Sequence, residues 1–562
     1  MRWRRLFWVL ALGGLAGGHS FACSLVEDLE ATQCEVDADC GAIRQSETDP
    51  ATYACREGLC RPVVEPDPVC TSNTDCIGRL DDDGLVISAP YCAIDASASC
   101  SGDRATCTRR CRSLTDGSAC SVVGYGNPIT DDPLVLGAFL PVAGPYRPAS
   151  ARRFPAEEVV EKAVEALNGS GVGASSGPPK SVAVVMCPLS DGQLVEEQAL
   201  RLVENFDARA LITAQNAFEI VELQGALTSN SAVQVPVVAL HTSHPATRSA
   251  DPAGRLFHMV ANEETRRSTY RELFSLALER VVADNAGTLP SPLRLVGLLR
   301  QDDRDAQETI VELERWLAQD SRFGVSIRFI VENSPLEWAR NASDDPVPQV
   351  VVSLLGGPGT SVLTEWCNGR GCDQREDEVP IWLFDHAMRA SDFWDATRAP
   401  AALRGRVVGV EHPTNFSLYR DLELQLIDGA FGYEFLHDAI VALGLAAYRV
   451  NQDPSVALDG ASLTSALLAV GNGTEEVAIV DDGTYTVRRD QFADARSFFS
   501  GTSGPLRWVE EQAREPLMEE GQASDLRSSA WCPVSFDSGE ELRVQVGVAI
   551  DDVSETCLPD PE

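Results

Sequence analysis

The chain has 562 residues, too many for a single hydrophobic core, and its content of 44% hydrophobic and 23% charged residues is ordinary for a globular protein. Acidic residues outnumber basic ones by 84 to 46, which gives a formal net charge of −38 at pH 7. Such a chain repels polyphosphate, and no segment is basic enough to form a local patch, so the composition argues against a nucleic-acid partner.

The first residues of the chain have the pattern of an export signal. Arginines are concentrated in Met1–Arg5, Leu6–Gly18 is apolar, and the small residues Ser20 and Ala22 come just before Cys23. A basic start, a short apolar core and small residues before a cleavage point are typical of a signal peptide. The apolar segment is too short to remain as a transmembrane helix. We therefore predict a signal peptide at residues 1–22.

Cys23 directly follows the expected cleavage point, and this arrangement resembles the bacterial lipobox, whose cysteine is lipidated before cleavage. The lipobox has leucine where this chain has Ser20, and an ordinary signal peptidase would cut the same bond. Cysteine parity favours lipidation, because 17 cysteines without Cys23 leave 16 for pairing. We predict a protein held to a membrane of the cell envelope, in the periplasm or at the outer membrane, through a lipid on Cys23.

A cysteine-rich segment follows, with eleven cysteines between residues 34 and 120. In an exported chain this density predicts a disulfide-stapled module with little core of its own, which we assign to residues 23–125. A Cys-x4-Asp-Cys motif occurs twice, at Cys34–Cys40 and Cys70–Cys76. Zinc is the competing interpretation, and the absence of CxxC pairs argues against it. The segment resembles the stalks that follow the lipidated cysteine in myxobacterial lipoproteins.

Because eleven is odd, one cysteine of the stalk needs a partner elsewhere. We predict a bridge from Cys120 to Cys187, the next cysteine in the chain, with a free thiol at Cys187 as the alternative. The last four cysteines fall into two pairs, for which we predict two more bridges, Cys367–Cys372 and Cys532–Cys557.

From residue 134 onward, apolar strand-like segments alternate with segments of helical periodicity. Strands are expected at Leu134–Val142, Ser181–Met186, Ala210–Thr213, Pro236–Leu240, Leu293–Leu299, Val325–Val331, Gln349–Leu355, Pro380–Phe384 and Arg406–Val410. Helices are expected at Pro155–Leu167, Gln193–Phe206 and Phe218–Leu227. Apolar strands joined by helices form parallel sheets covered on both faces, so the fold class is α/β. The segment is too long for one such sheet, and two lobes are expected.

Six segments, in this order, resemble the type 1 periplasmic binding proteins of the branched-chain amino-acid receptor kind. They are Leu136–Tyr146, Ile212–Asn216, Pro236–Thr247, Phe257–Asn262, Leu295–Asp302 and Phe499–Leu506. The resemblance covers residues 134–510 and implies two lobes with parallel sheets, joined by three crossovers and preceded here by the disulfide-rich module. Lobe 1 would comprise 134–258 with 415–495, and lobe 2 would comprise 259–414 with 496–560.

Ligands of open parallel sheets bind at the carboxyl ends of the strands, so the resemblance implies a ligand site in the loops that follow them. The candidate residues are Ala143, Gly144, Tyr146, Gln215, Asn216, His241, Thr242 and Ser243 in lobe 1, and Asp302 and Asp385 in lobe 2. Asp385 is the candidate partner for a ligand amine, with a turn residue as the alternative interpretation. Asn216 is alternatively a helix N-cap. Ala143 and Ala214 stand where the family has groups that hold a ligand carboxylate.

No catalytic constellation is present in the sequence. The glycine-rich Leu355–Ser361 lacks the lysine of a phosphate-binding loop, and His241 and His244 lack a third metal ligand. We therefore predict a binding protein without enzymatic activity, metal or cofactor. It would capture a small solute, such as an amino acid or a related amide, between its lobes, with an ABC permease as the partner that the family implies. The alternative is a degenerate pair of lobes kept as an envelope-interaction or adhesion module, which the two alanines favour.

Overall fold

The structure is a computed structural model of the whole chain. It describes residues 53–56, 59–62, 69–79, 87, 89–95, 107–115, 120–124, 133–141, 155–170, 181–189, 195–215, 217–229, 234–240, 242, 245–251, 253–260, 263–299, 304–323, 328–332, 334–341, 346–355, 359–370, 372, 379–385, 403, 405–411, 433–471, 475–478, 497–501, 504–505, 508, 529–536, 541–548 and 550–559. The chain divides into an N-terminal unit, residues 1–92 with 109–113, and a main unit, residues 93–108 with 114–562.

The described strands and helices alternate along most of the chain. The strands are β1 (Tyr53–Arg56), β2 (Leu59–Pro62), β3 (Pro90–Ile94), β4 (Arg109–Ser113), β5 (Ser121–Val123), β6 (Leu134–Pro141), β7 (Val182–Leu189), β8 (Ala210–Thr213), β9 (Val237–Ala239), β10 (Leu256–His258), β11 (Leu295–Leu298), β12 (Ile330–Glu332), β13 (Val350–Ser353), β14 (Ile381–Phe384), β15 (Val407–Glu411), β16 (Glu475–Ala478), β17 (Ser497–Gly501), β18 (Gly504–Pro505), β19 (Ser529–Phe536) and β20 (Glu541–Val548). The α-helices are α1 (Pro155–Ser170), α2 (Val195–Phe206), α3 (Ala217–Ser229), α4 (Pro245–Ser249), α5 (Glu263–Asp284), α6 (Arg304–Gln319), α7 (Pro335–Asn341), α8 (Gly359–Arg370), α9 (Tyr433–Asn451), α10 (Gly460–Val470) and α11 (Val553–Thr556). Among the described residues, none of the helices combines the length and the apolar character needed to cross a bilayer.

The N-terminal unit is held together by disulfides. Two of its bridges are described, Cys70–Cys92 and Cys76–Cys111, and their sulfurs form a small core with the buried Ile87. The sulfurs of Cys70, Cys76 and Cys92 lie within 4.8 Å of one another, a spacing that suits a metal, but each of them is committed to a bridge. Bridges of this kind persist outside the reducing cytoplasm, so they indicate an extracytoplasmic location.

The second Cys-x4-Asp-Cys motif is a closed turn between two bridged cysteines. The Asp75 carboxylate accepts hydrogen bonds from the backbone N–H groups of Thr71 and Ser72, at 2.8 and 2.9 Å. These backbone bonds, from Thr71 first and Ser72 second, lower the pKa of Asp75 from 3.8 to about 2. The aspartate of the motif therefore stabilises the turn that follows Cys70.

The first sheet of the main unit has the strand order β10-β9-β8-β6-β7-β5. Its strands β6 to β10 are parallel, as the apolar segments predicted. Helices α1, α9 and α10 bury their apolar residues in the core of this lobe. Helix α1 begins at Pro155, which suits the first helical turn, and α9 is buried around most of its surface because it lies inside the lobe.

The edge strand β5 corrects the predicted boundary of the stalk. We assigned residues 23–125 to the stalk, but β5 pairs antiparallel with β7 and so belongs to the first sheet. The sheet register sets Ser121 opposite Met186, and the Cys120–Cys187 bridge joins the two strands at the adjacent position, with a Cα–Cα distance of 4.1 Å. This bridge is the one that cysteine parity predicted, and it anchors the end of the cysteine-rich segment to lobe 1.

The second sheet has the order β12-β11-β13-β14-β15-β19-β20. Strands β11 to β15 are parallel, and the C-terminal hairpin of β19 and β20 continues the sheet in antiparallel fashion. The ring of Trp531 packs directly on Gly409, where an added Cβ would lie 2.1 Å from the indole, so only glycine fits there. The predicted bridges Cys367–Cys372 and Cys532–Cys557 are both formed in this lobe.

The chain passes back to lobe 2 later than the sequence suggested. We assigned residues 496–560 to lobe 2, but β17 pairs with β16, and Trp508 is fully buried in the core of lobe 1. The Trp508 ring lies edge-on against Phe257, with 5.0 Å between the ring centroids. Strands β17 and β18 and Trp508 therefore belong with lobe 1, and the described part of lobe 2 resumes at β19.

Candidate functional site

The carboxyl ends of three neighbouring parallel strands in lobe 1 carry buried polar residues. The sheet register aligns Thr213 of β8 with Ala239 of β9 and Ala239 with His258 of β10. Thr213 and His258 are both fully buried, and Gln215 lies two residues beyond Thr213 with 7% of its surface exposed. The Gln215 backbone N–H donates to Thr213 Oγ1 at 3.2 Å. Hydroxyl, amide and imidazole groups are thus collected at one edge of this sheet.

The loop after β9 is tied to the strand beside it. His258 Nδ1 donates a hydrogen bond to the backbone carbonyl of Thr242, so this ring nitrogen carries a proton. The Trp508 indole N–H donates to the His258 carbonyl at 3.0 Å. Since Thr242 is itself buried, these bonds connect the loop, the strand and the C-terminal segment of lobe 1 in one network.

The corresponding edge of the second sheet carries Ser353 and Asp385. The register aligns Leu298, Ser353, Phe384 and Gly409 across four parallel strands. Asp385 is the next residue after β14, is half-buried, and donates its backbone N–H to the Ser353 carbonyl at 3.3 Å. The Ser353 hydroxyl is fully buried, and no described residue makes a hydrogen bond with its Oγ. A buried hydroxyl without a partner is costly, so this atom is a candidate ligand contact.

Three of the ten ligand-binding residues expected from the sequence are described. Gln215 and Thr242 lie at the strand ends of lobe 1, and Asp385 lies at those of lobe 2. The other seven lie outside the described residues: Ala143, Gly144, Tyr146, Asn216, His241, Ser243 and Asp302. Cys23, the predicted lipidation site, also lies outside them and stays a prediction.

The sequence reasoning missed Thr213, His258 and Ser353. Each of them is the last residue of a buried strand, and each is polar where the preceding residues are apolar. That polarity change at the end of an apolar segment is the signal that identifies them. Among the described residues, the cluster of metal-ligand type is the disulfide-bonded one of the N-terminal unit.

Lobe 1 also contains a buried polar pair that the sequence did not single out. His437 and Asp438, in the second turn of α9, are both fully buried and lie 2.9 Å apart between Nδ1 and Oδ1. Glu434, one turn earlier, is also buried. Helix α9 packs against β6 and β8, so the pair lies on a helix that covers the sheet carrying Thr213.

The comparisons with known proteins give likenesses of fold. No family model and no curated protein matches the chain. A leucine-binding protein, LivK, from Thermotoga maritima is 12% identical, with a TM-score of 0.46 over 75% of this chain and 99% of that chain. A solute-binding protein of an ABC transporter from R. palustris, solved with benzoate, is 13% identical, with a TM-score of 0.46 over 74% of this chain and 95% of that one. LivJ from Streptococcus pneumoniae, solved with isoleucine, is 10% identical, with a TM-score of 0.44 over 74% and 99%.

Proposed function

We propose that the protein is an exported receptor that captures a small solute between its two lobes. The observation that carries the proposal is the pair of polar strand ends: Thr213, Thr242 and His258 on the first sheet, and Ser353 and Asp385 on the second. Both sets lie at the carboxyl ends of parallel strands, the edge at which open α/β sheets bind ligands. A solute that bridged them would hold the lobes closed.

The chemistry of these residues favours a small polar solute such as an amino acid or a related amide. The hydroxyl of Ser353 supplies both a donor and an acceptor, and Asp385 supplies a carboxylate for a solute amine. The two alanines at the positions where the resembling family holds a carboxylate argue for a solute whose anionic group is held elsewhere or is absent. In this proposal a lipid on Cys23 holds the receptor at a membrane, and an ABC permease takes the solute from it.

A thermal unfolding screen against a library of small solutes tests the proposal. A ligand present at 100 times its Kd stabilises the folded protein by about 2.7 kcal/mol, which raises the Tm of a lobe of this size by roughly 5 °C or more. Each hit is then measured by solution scattering, where closure of two lobes decreases the radius of gyration. Binding without compaction would contradict capture between the lobes.

Two matched serine variants locate the site. Ser353→Ala removes a hydroxyl that makes no hydrogen bond with a described residue, so it should leave the Tm unchanged or slightly higher. It should also lower the affinity for the solute about three- to tenfold. Ser229→Ala removes an exposed hydroxyl that donates to Gly225 on α3, and it should leave binding unchanged. If no solute raises the Tm, the lobes are better explained as an envelope-interaction module.

A further inference from the structure

A second candidate site lies on lobe 2, away from the residues assigned to solute capture. It is a cavity of about 120 Å³ beside the edge strand β12, and neither Ser353 nor Asp385 lines it. Its floor is one face of the sheet, because Val296 of β11 and Ile330 and Glu332 of β12 project to the same side at alternate positions. Helices α7 and α8 supply two indole rings, Trp338 and Trp366.

The charged residues of this cavity are unusual for so acidic a chain. Arg294 and Arg370 line it against a single acid, Glu332, whereas the whole chain carries a net charge of −38. Within the described part of the chain, no carboxylate forms an ion pair with the Arg294 guanidinium. Guanidinium groups hold carboxylates through two parallel hydrogen bonds, so Arg294 has the chemistry of an anion contact.

The aromatic residues supply the independent observation. Trp366 is 1% exposed and lines the cavity, yet its indole N–H has no hydrogen-bond acceptor among the described residues. Its ring lies edge-on against Trp382, at 5.8 Å between centroids, and Trp338 lies edge-on against the same ring at 6.4 Å. The rings are therefore held rigidly, and the buried indole N–H of Trp366 is available to donate a hydrogen bond to a ligand.

We propose that this cavity binds a small monoanion with a flat apolar body, of the ring-carboxylate class. The carboxylate would bind Arg294 and Arg370, and the ring would lie among the indoles. The cavity volume of about 120 Å³ is close to the roughly 150 Å³ of an apolar cavity that binds benzene, so it suits a single ring. The single net positive charge of the lining, inside a strongly negative protein, disfavours multiply charged anions.

The Cys367–Cys372 bridge gives this site a positioning element. The bridge encloses Arg370, the last residue of α8, and follows directly after Trp366. The Cys372 N–H also donates to the Cys367 carbonyl at 3.3 Å. The short loop therefore holds the end of α8, and with it the arginine and the indole, in one orientation.

The test uses the protein without its predicted signal peptide and follows the indole N–H signals of its tryptophans by NMR. The signals of Trp338 and Trp366 are identified from Trp338→Phe and Trp366→Phe variants. Three probes test the need for a negative charge and the need for a ring separately. They are benzoate, its neutral analogue benzamide, and acetate, which lacks the ring. We expect benzoate to shift both signals saturably and to bind at least about tenfold more tightly than either control probe.

Arginine variants then connect the shifts to this cavity. Arg294→Gln and Arg370→Gln should each weaken benzoate at least about tenfold, whereas Arg340→Gln, which removes an exposed arginine paired with Glu365 outside the cavity, should not. Ser353→Ala should leave these shifts unchanged, which separates this site from the proposed solute site. No saturable shift with benzoate, equal binding of benzamide, or unchanged affinity in both cavity variants would overturn the proposal.

Discussion

Removing the Cys120–Cys187 bridge should destabilise lobe 1 and leave lobe 2 unaffected. The variant replaces the half-buried Cys120 by serine and the buried Cys187 by alanine, so that no polar group is introduced into the sheet. The matched control removes the bridge that closes a short loop in lobe 2, Cys367–Cys372, by replacing both buried cysteines with alanine.

The magnitude follows from the lengths of the loops that the bridges close. The cysteines of the first bridge are 67 residues apart, and the chain-entropy relation then gives a contribution of about 4 kcal/mol at 25 °C. Those of the second are 5 residues apart, for which the same relation gives about 2 kcal/mol. The long loop loses more conformational freedom in the unfolded chain, so its bridge contributes more to stability.

Hydrogen exchange measured by mass spectrometry reports the stability of each lobe separately. A single unfolding transition does not, because a chain with several cores does not unfold as one unit. Loss of about 4 kcal/mol should speed exchange in peptides from β6 and β7 by up to about a thousandfold, while peptides from β13 and β14 keep their protection. In the control variant, exchange should become about thirtyfold faster in peptides from β13 and β14, while peptides from β6 and β7 keep their protection. Unchanged protection of β6 and β7, or an equal loss in both lobes, would refute the loop-closure reasoning.

Three further predictions concern single side chains. Gly471→Ala should destabilise lobe 1 by about 1–3 kcal/mol in thermal unfolding, because the added Cβ would lie 2.5 Å from the Trp508 ring; a variant as stable as the parent would contradict this packing. The turn around Asp75 should lose stability as the pH falls from about 4 towards 2. The pKa of Asp75 is lowered from 3.8 to about 2, so the stabilisation from its carboxylate is present above the unfolded pKa and is lost when the carboxylate is protonated. NMR shifts of the Thr71 and Ser72 amides measure that titration, and Asp75→Asn should abolish it. Cys23→Ser should release the protein from membranes into the soluble fraction, and unchanged membrane association would argue against the lipid anchor.

Most of the parallel strands in the two sheets were predictable because the signal is local. Ala210–Thr213 and Ile381–Phe384 are short apolar segments between helix-like sequence, and such segments are buried on both faces of a parallel sheet whatever their neighbours are. The Cys120–Cys187 bridge was predictable for a different reason. An odd count of cysteines in the stalk required one partner outside it, and Cys187 was the next cysteine in the chain.

Two features depended on contacts between distant parts of the chain. The strand β5 has only three residues, Ser121–Val123, too few for a period to be recognised, and its place is set by pairing with β7. Trp508 could have belonged to either lobe by its sequence, and the packing against Phe257 assigns it to lobe 1.

The candidate site was partly predictable: Thr242 and Asp385 follow apolar strands, as the general rule for parallel sheets requires.

By itself, the sequence determined the α/β class, the two-lobe organisation and three of the cysteine pairs, because composition, periodicity and parity depend on neighbouring residues or on simple counts. Only the tertiary structure decided that Thr213 and His258 share one row across the first sheet, and that the Ser353 hydroxyl is buried without a described partner. It also decided that Arg294 and Arg370, 76 positions apart in the sequence, line one cavity with Trp366. The register of strands and the packing of helices on them follow from the burial of side chains from separate segments, and no local pattern carries that information.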